Sequence, residues 1–390
     1  LNTAAGLAPA VLVYYDDEAT KLLALRAGRA DVIVQPNAQL VFIAARDGDI
    51  RQFDPGVLVD DDGRIWLYSG QGPLPLRPGR HQGRSEVSEL DPDMLTLRTE
   101  PVACVPTAET GAGTGFEGHE FFEGSSIRKI NSTYYFVYSS INMHELCYAT
   151  SERPDGPYTY GGPIVSNGNI GLDGRTQRTD SCFPIGNTHG GIELVNGQWY
   201  VFYHRHTNRH AYSRQAMAEP FEIAADGSIA QVPMTSRGLN GAPLAGRGTY
   251  GAWIGCHLTG PRGGLISDPA ESTDEDPYVT QDGGDREEGE TPYVTNLRDG
   301  ATLGFSSFDL ADPVWLSVTT RGSGEGRFEV QYALDGPVVG EVSVETAGQW
   351  TDSESAHLAT PPSVDPARGT DLFLTWRGTG HLDLIDVTLA

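Results

Sequence analysis

The sequence predicts a mainly β protein: a β-propeller, incomplete at its start, followed by a β-sandwich or jelly roll. Three observations predict it. From residue 51 onward, short runs of Val, Ile, Tyr, Phe and Trp recur between Gly, Asp and Asn turns. No amphipathic helical period runs through that region. The 390 residues include 48 Gly and 25 Pro at a hydrophobic content of 38%, which is a packed but loop-rich composition.

Residues 1–50 differ from the rest. VLVYY (11–15) reads as a strand, and Asp16 and Asp17 can cap a helix carrying Leu22, Leu23 and Leu25, with Gly28 as its stop. DVIV (31–34) reads as a second strand, and Pro36 suits the first turn of a helix with Leu40, Ile43 and Ala44. Such a β-α-β-α unit calls for a parallel sheet. Beyond it lie VLVDDDGRIWLYSG, SIRKINSTYYFVYSS, ELCYATSERPDGPYTYGG and GIELVNGQWYVFYHRH, each a strand, a tight turn and a strand. Hairpins at blade-sized spacing suggest a propeller spanning residues 51–261. Residues 262–292 are acidic and rich in Gly and Pro, with the composition of a linker. Residues 293–390 return to short strands and turns, which fit the sandwich.

The net charge of −25 excludes a nucleic-acid partner, because phosphates demand basic patches, and leaves neutral sugars open. No apolar run reaches the ~20 residues that span a bilayer, so no membrane partner is expected. The opening LNTAAGLAPA lacks the basic region and apolar run of a signal peptide. Cys104, Cys147, Cys182 and Cys256 show no CxxC spacing and allow three pairings, with buried thiols the simpler reading.

Two carboxylates stand out. Asp54 lies in QFDPG (52–56) and Glu123 in GHEFFEG (118–124), each just upstream of a hairpin. In a propeller that position is the channel mouth, where a protonated and an ionised carboxyl could flank one glycosidic bond. Read structurally, each is a turn residue before a strand. Asp60-Asp61-Asp62-Gly63 is a hairpin turn with Gly at positive φ and lacks EF-hand spacing. His119 and Glu120 open a motif whose fifth residue is Glu123, so HExxH zinc chemistry is excluded. His204 and His206 alternate on a strand and read as solvated positions rather than metal ligands.

FDPGVLVDDDGRIWLYSG, GFEGHEFFEGSSIRKI, YATSERPDGPY, IGNTHGGIELVNGQWYVFYHRHTN and YSRQ together resemble glycoside hydrolase family 43 over residues 51–257. The resemblance implies a five-bladed propeller and an inverting β-xylosidase or α-L-arabinofuranosidase acting on plant cell-wall polysaccharide, outside the cell. It implies that Glu123 is the general acid and Asp54 the carboxylate that raises the acid's pKa. It also implies that Arg214 reaches sugar hydroxyls, and that His189 sits at the propeller axis beside a structural calcium. The C-terminal segment resembles family 6 carbohydrate-binding modules in EGETPYVTNLRDGATLGFSSFDL, AGQW and GTDLFLTWRGTGHLDLIDVTLA; Tyr293, Trp350 and Trp376 are the available rings near turns, and each reads more readily as core than as a sugar platform.

The resemblance breaks at the N-terminus. The family draws its catalytic base, an Asp, from the first blade. Here YYDDEATKLLALRAGRADVIVQPNAQLVFIAARDGDI resembles part of a bacterial solute-binding protein instead. Three expectations follow: an active hydrolase with an unassigned base, an impaired remnant that only binds carbohydrate, or a transport binding protein, which the first 50 residues alone suggest.

Overall fold

The computed structural model describes residues 54–72, 83–264, 267, 270–283, 291–311, 313–346, 348–363 and 366–390, together with the backbone of two short strands before them. Those two, β1 (Ile33–Val34) and β2 (Leu40–Val41), pair antiparallel. The expected strand at 31–34 is met in part, but the helix drawn through Leu40 is corrected to a strand, and the pairing is not parallel. β-branched Ile33, Val34 and Val41 favour the extended backbone. The other N-terminal calls, VLVYY, the Asp16 and Asp17 cap and its helix, lie outside the described residues.

No α-helix occurs among the described residues, only three single-turn 3-10 segments. The described part of the protein is mainly β, and none of its helices is long and apolar enough to cross a membrane. Packing divides the chain into two compact units, residues 1–134 with 151–158, and residues 135–150 with 159–390.

In the first unit, β3 (Gly56–Val59), β4 (Ile65–Gln71), β5 (Arg84–Leu90) and β6 (Val102–Ala103) form an antiparallel meander in sequence order. Its core is Ile65, Leu67 and Leu90, with Val57 and Met94 packed against them. The β3–β4 turn is the Asp60–Gly63 hairpin read from sequence: Gly63 has φ +81° and donates to the Asp60 carbonyl at 2.9 Å. Burial pushes the Asp60 carboxyl up, but hydrogen bonds from Lys129 (2.6 Å), Tyr134 (2.5 Å) and the Asp61 N–H outweigh it and hold the group below its usual range. β7 (Phe121–Ile130) packs across β3 and β4.

The second unit holds β8 (Thr133–Ser140), β9 (Glu145–Ser151) and β10 (Thr159–Ser166), with β9 between the others. A second meander follows: β11 (Gly191–Val195), β12 (Gln198–Thr207) and β13 (His210–Phe221). The remaining strands are β14 (Leu244–Ala245), β15 (Gly248–Gly251), β16 (His257–Thr259), β17 (Tyr278–Thr280), β18 (Tyr293–Leu297), β19 (Thr302–Asp309), β20 (Val314–Gly322), β21 (Glu325–Gln331), β22 (Val338–Glu345), β23 (Thr351–Asp352), β24 (Ala356–Leu358), β25 (Thr370–Thr379) and β26 (Leu382–Leu389). They build two sheets. One runs β14-β19-β25-β21-β22 with β16 on β19; the other runs β17-β18-β26-β20-β23 with β15 on β26 and β24 on β20.

These sheets recruit strands from well before residue 293. β14, β15 and β16 belong to them, although sequence assigns their residues to the propeller. Within the stretch read as a linker, β17 pairs with β18, and Asp276 is buried against Arg262 and accepts from the Thr273 N–H at 2.7 Å. Cys104, Cys147, Cys182 and Cys256 are all buried free thiols.

Candidate active site

Glu123 is the third residue of β7, where Phe121, Glu123 and Ser125 share a buried face, and its exposure is only 8%. Asp54 is half-buried one residue short of Pro55, with φ +44°, a conformation Asp tolerates better than most residues. A Cβ on Gly56 would sit 2.6 Å from the Ser125 carbonyl oxygen, so β3 and β7 touch backbone to backbone there. Gly56 pairs with Tyr68 on β4. Four residues beyond Tyr68, Gly72 donates to the Phe122 carbonyl at 2.5 Å. Because β4 runs against β3, this second contact lies toward the start of β3. β3 and β7 therefore run in the same sense, and Asp54 comes level with Glu123 and Gly124.

His189 and Arg214 lie in the other unit. Arg214 is an exposed residue of β13, opposite His206 of β12, and its Nε donates to the Ala211 carbonyl at 2.8 Å. Burial, and then the Arg214 charge, lower the His189 pKa to about 4. The structure thus brings Asp54 level with Glu123, and His189 within electrostatic reach of Arg214.

His204 is the residue sequence reading missed. It was read as solvated, yet both ring nitrogens are buried without a hydrogen-bond partner. Burial first, then Arg214, His206 and His189, press its pKa to about 2, so the ring is neutral. It stacks on His206 with centroids 6.1 Å apart, and His206 is bonded to the Asn187 side chain. The alternation expected of a half-solvated strand fails in β12, where neighbouring Arg205 and His206 are both buried, and no residue pattern in the sequence marks that failure.

The expected calcium takes six to eight oxygen ligands, and the oxygens beside this histidine cluster include the Asn187 side chain and the Ser267 carbonyl, both at His206. No step is assigned to a metal.

Two of the three C-terminal rings are core, as the sequence reading favours. Trp376 is fully buried and Tyr293 nearly so. The Arg321 guanidinium lies 4.5 Å from the Tyr293 ring centroid and 4.4 Å from that of Trp350, covering two rings that meet each other edge to face at 5.4 Å. It is held there by Asp282 at 2.8 and 2.9 Å and by Asp383 at 3.0 Å.

Comparison with known proteins gives the class. The family model described as glycosyl hydrolases family 43 matches residues 36–229, beginning 15 residues before the boundary read from sequence at residue 51. A xylosidase/arabinosidase of Thermoclostridium stercorarium is 42% identical over 349 residues, covering 89% of this chain and 72% of that protein. An arabinoxylan arabinofuranohydrolase of Paenibacillus polymyxa is 26% identical over 362 residues, and the match spans 86% of this chain and half of that one. Among solved structures, a family 43 arabinoxylan arabinofuranohydrolase from Bacillus subtilis in complex with cellotetraose aligns at a TM-score of 0.45 and 21% identity, over 91% of this chain and 71% of that one. The class is glycoside hydrolase. The chain belongs to glycosyl hydrolases family 43.

Proposed function

We propose that this protein is a glycosidase of the xylosidase/arabinosidase type, removing xylose or arabinose from plant cell-wall polysaccharide or its oligosaccharides. The observation that carries the reading is 42% identity to a xylosidase/arabinosidase along 89% of the chain. Glu123, buried on β7, is the proposed general acid that protonates the leaving oxygen. Asp54, level with it, is the proposed anion that keeps Glu123 protonated, since a nearby like charge disfavours ionisation. Arg214 is the proposed contact to sugar hydroxyls. The family's five-bladed propeller and a C-terminal β-sandwich like a family 6 carbohydrate-binding module complete the proposed architecture. A polymeric substrate also argues for work outside the cell.

The test is turnover of aryl-β-xylopyranoside and aryl-α-L-arabinofuranoside by the full chain. Turnover of either should fall by ~10²–10⁴-fold in Glu123→Ala, the usual worth of a positioned acid. Turnover of neither by the folded protein, or an unaffected Glu123→Ala, overturns the assignment.

A further inference from the structure

The tip of the β12–β13 hairpin carries a backbone strain that its own strands do not require. Asn208 and Arg209 form a two-residue turn in which both have positive φ, +56° and +51°. Such a turn favours Asn followed by Gly, because glycine adopts positive φ without strain. Asn suits the first place, but Arg stands where glycine would be free. A strained residue persists only when its surroundings hold it, and here the side chain is held. Arg209 Nη2 donates to Asp274 at 2.5 Å, and its guanidinium carbon lies 5.1 Å from the Tyr278 ring centroid. The Asn208 N–H donates to the Val279 carbonyl at 2.8 Å, and Asn208 Oδ1 accepts from the Thr280 hydroxyl at 2.9 Å. All four partners lie on β17 or just before it, in the stretch whose composition reads as a linker. β17 is the edge strand of its sheet, next to β18, so it presents backbone groups that one neighbour leaves open, and Asn208 takes one of them.

What this turn anchors is the approach to Arg214. The ladder pairs Thr207 with His210 and then His206 with Arg214, so Ala211, Tyr212 and Ser213 have no residue opposite and form a bulge. A bulge re-aims the side chains beside it. The Ala211 carbonyl accepts from Arg214 Nε at 2.8 Å, and the Thr207 and Ser213 hydroxyls, 2.7 Å apart, close the bulge across the hairpin. The Arg214 guanidinium therefore takes its direction from a bulge that begins two residues after Arg209. Stability alone does not account for arginine at the turn. Asp274 is 94% exposed, and an ion pair to such a group adds little. Arg209 Nε is buried without a hydrogen-bond partner, and the positive φ opposes any gain.

We propose that Arg209 is a positioning residue for the substrate: clamped to Asp274 and Tyr278, it fixes the turn and the bulge, and so aims Arg214 at the sugar hydroxyls. The inference rests on the proposed role of Arg214. It adds that residues 274–280 are a working part of the substrate site, reaching the hairpin from the edge of the C-terminal sheet. A side chain held in advance in its binding direction loses less freedom when the sugar arrives, so the clamp acts on affinity. It leaves proton transfer at Glu123 untouched.

Arg209→Gly is the test, because it removes the clamp while relieving the turn. The variant should melt with wild type, yet raise KM for an aryl-β-xylopyranoside or aryl-α-L-arabinofuranoside by about 2–30-fold, the range for coupling carried through a side-chain network. kcat should hold, since what is lost is binding common to ground state and transition state. Thr280→Val, which deletes the hydroxyl bonded to Asn208 from the β17 side, should move KM the same way. In an Arg214→Ala background Arg209→Gly should add nothing, because the two residues act in series. If the folded wild-type chain turns over neither glycoside, equilibrium binding of xylotriose and arabinotriose replaces KM. The same pattern in Kd then keeps the clamp and sinks the hydrolase reading. Wild-type KM in Arg209→Gly, an equal rise with and without Arg214, or a wild-type chain that neither hydrolyses the glycosides nor binds either trisaccharide overturns the proposal.

Discussion

The contact between Gly56 and Ser125 sets the relative position of the two candidate carboxylates, and Gly56→Ala tests that directly. The new Cβ would sit 2.6 Å from the Ser125 carbonyl oxygen and 3.2 Å from its carbon. A carbon rests against a carbonyl oxygen at about 3.3 Å or more, so β3 must withdraw from β7 by about 0.7 Å. The obstruction is backbone and cannot rotate away. Overpacking of this kind costs about 1–3 kcal/mol. The functional cost is larger, because Asp54 lies two residues upstream of the clash and moves with it. A displacement near 1 Å costs about 10²-fold in rate when positioning matters.

Gly63 supplies the control in the same hairpin. Its φ of +81° makes Gly63→Ala strained, yet a Cβ there meets nothing within 4 Å. That variant should lose about 1–2 kcal/mol and keep the turnover of its folded fraction. Thermal melts and kcat/KM on an aryl xyloside or arabinofuranoside, measured well below both melting temperatures, read the two effects separately. Wild-type kcat/KM in Gly56→Ala, or equal kinetic losses in the two variants, would refute the argument that this approach aligns Asp54 with Glu123.

Two further outcomes concern the second unit. Arg321→Ala removes the cation lying over Tyr293 and Trp350 together with its pairs to Asp282 and Asp383, and should destabilise the protein by about 0.5–3 kcal/mol in denaturant melts. Arg321 holds the Asp282 carboxyl down to about 2, so that contribution is complete above the unfolded value near 3.9 and fades as pH falls toward 2; the variant should lack this acid-side loss. Glu219 behaves in the opposite sense: burial raises it to about 8 despite donors from Thr235 and Tyr203, so its contribution is complete below the unfolded value near 4.3 and is lost as pH rises through 8. Glu219→Gln should therefore gain on wild type between about pH 5 and pH 9 in thermal melts, and parallel melting curves across that range would contradict the assignment.

The parts legible in the sequence were those with local causes. The Asp60–Gly63 turn needs only a glycine at positive φ between β-rich runs, and it appeared where expected. The carboxylates could be singled out by position, but the contact that brings them level joins Gly56 to a backbone atom 69 residues later, and no periodicity records such a contact. Tyr293 and Trp376 read more readily as core than as sugar platforms, although an aromatic beside a turn has the same sequence in either role. Burial decided for the core. β14, β15 and β16 are two to four residues long, too short to carry an alternating pattern, and their partners lie across the chain in β19 and β26. A domain boundary drawn from composition therefore fell after them.

Arg205 shows why that boundary has physical weight. It sits on β12 between His204 and His206, is fully buried, and burial lowers its pKa to about 10. A charge in such a place is tolerable only when its donors are satisfied. Nε donates to Gln215 at 3.0 Å, but the two terminal nitrogens reach the carbonyls of Gly255 at 2.6 Å and Trp253 at 2.5 Å, with the Phe183 ring 4.0 Å from the guanidinium carbon. Those carbonyls belong to the single turn linking β15 to β16, the two strands that enter the C-terminal sheets on β26 and β19. The strand bearing the histidine cluster and the C-terminal sheets thus share one buried cation. Separating them between residues 221 and 244 would leave that cation with one of its three acceptors. Their joining is a condition of stability for β12, which explains why packing groups residues 159–390 as one unit where composition suggested two.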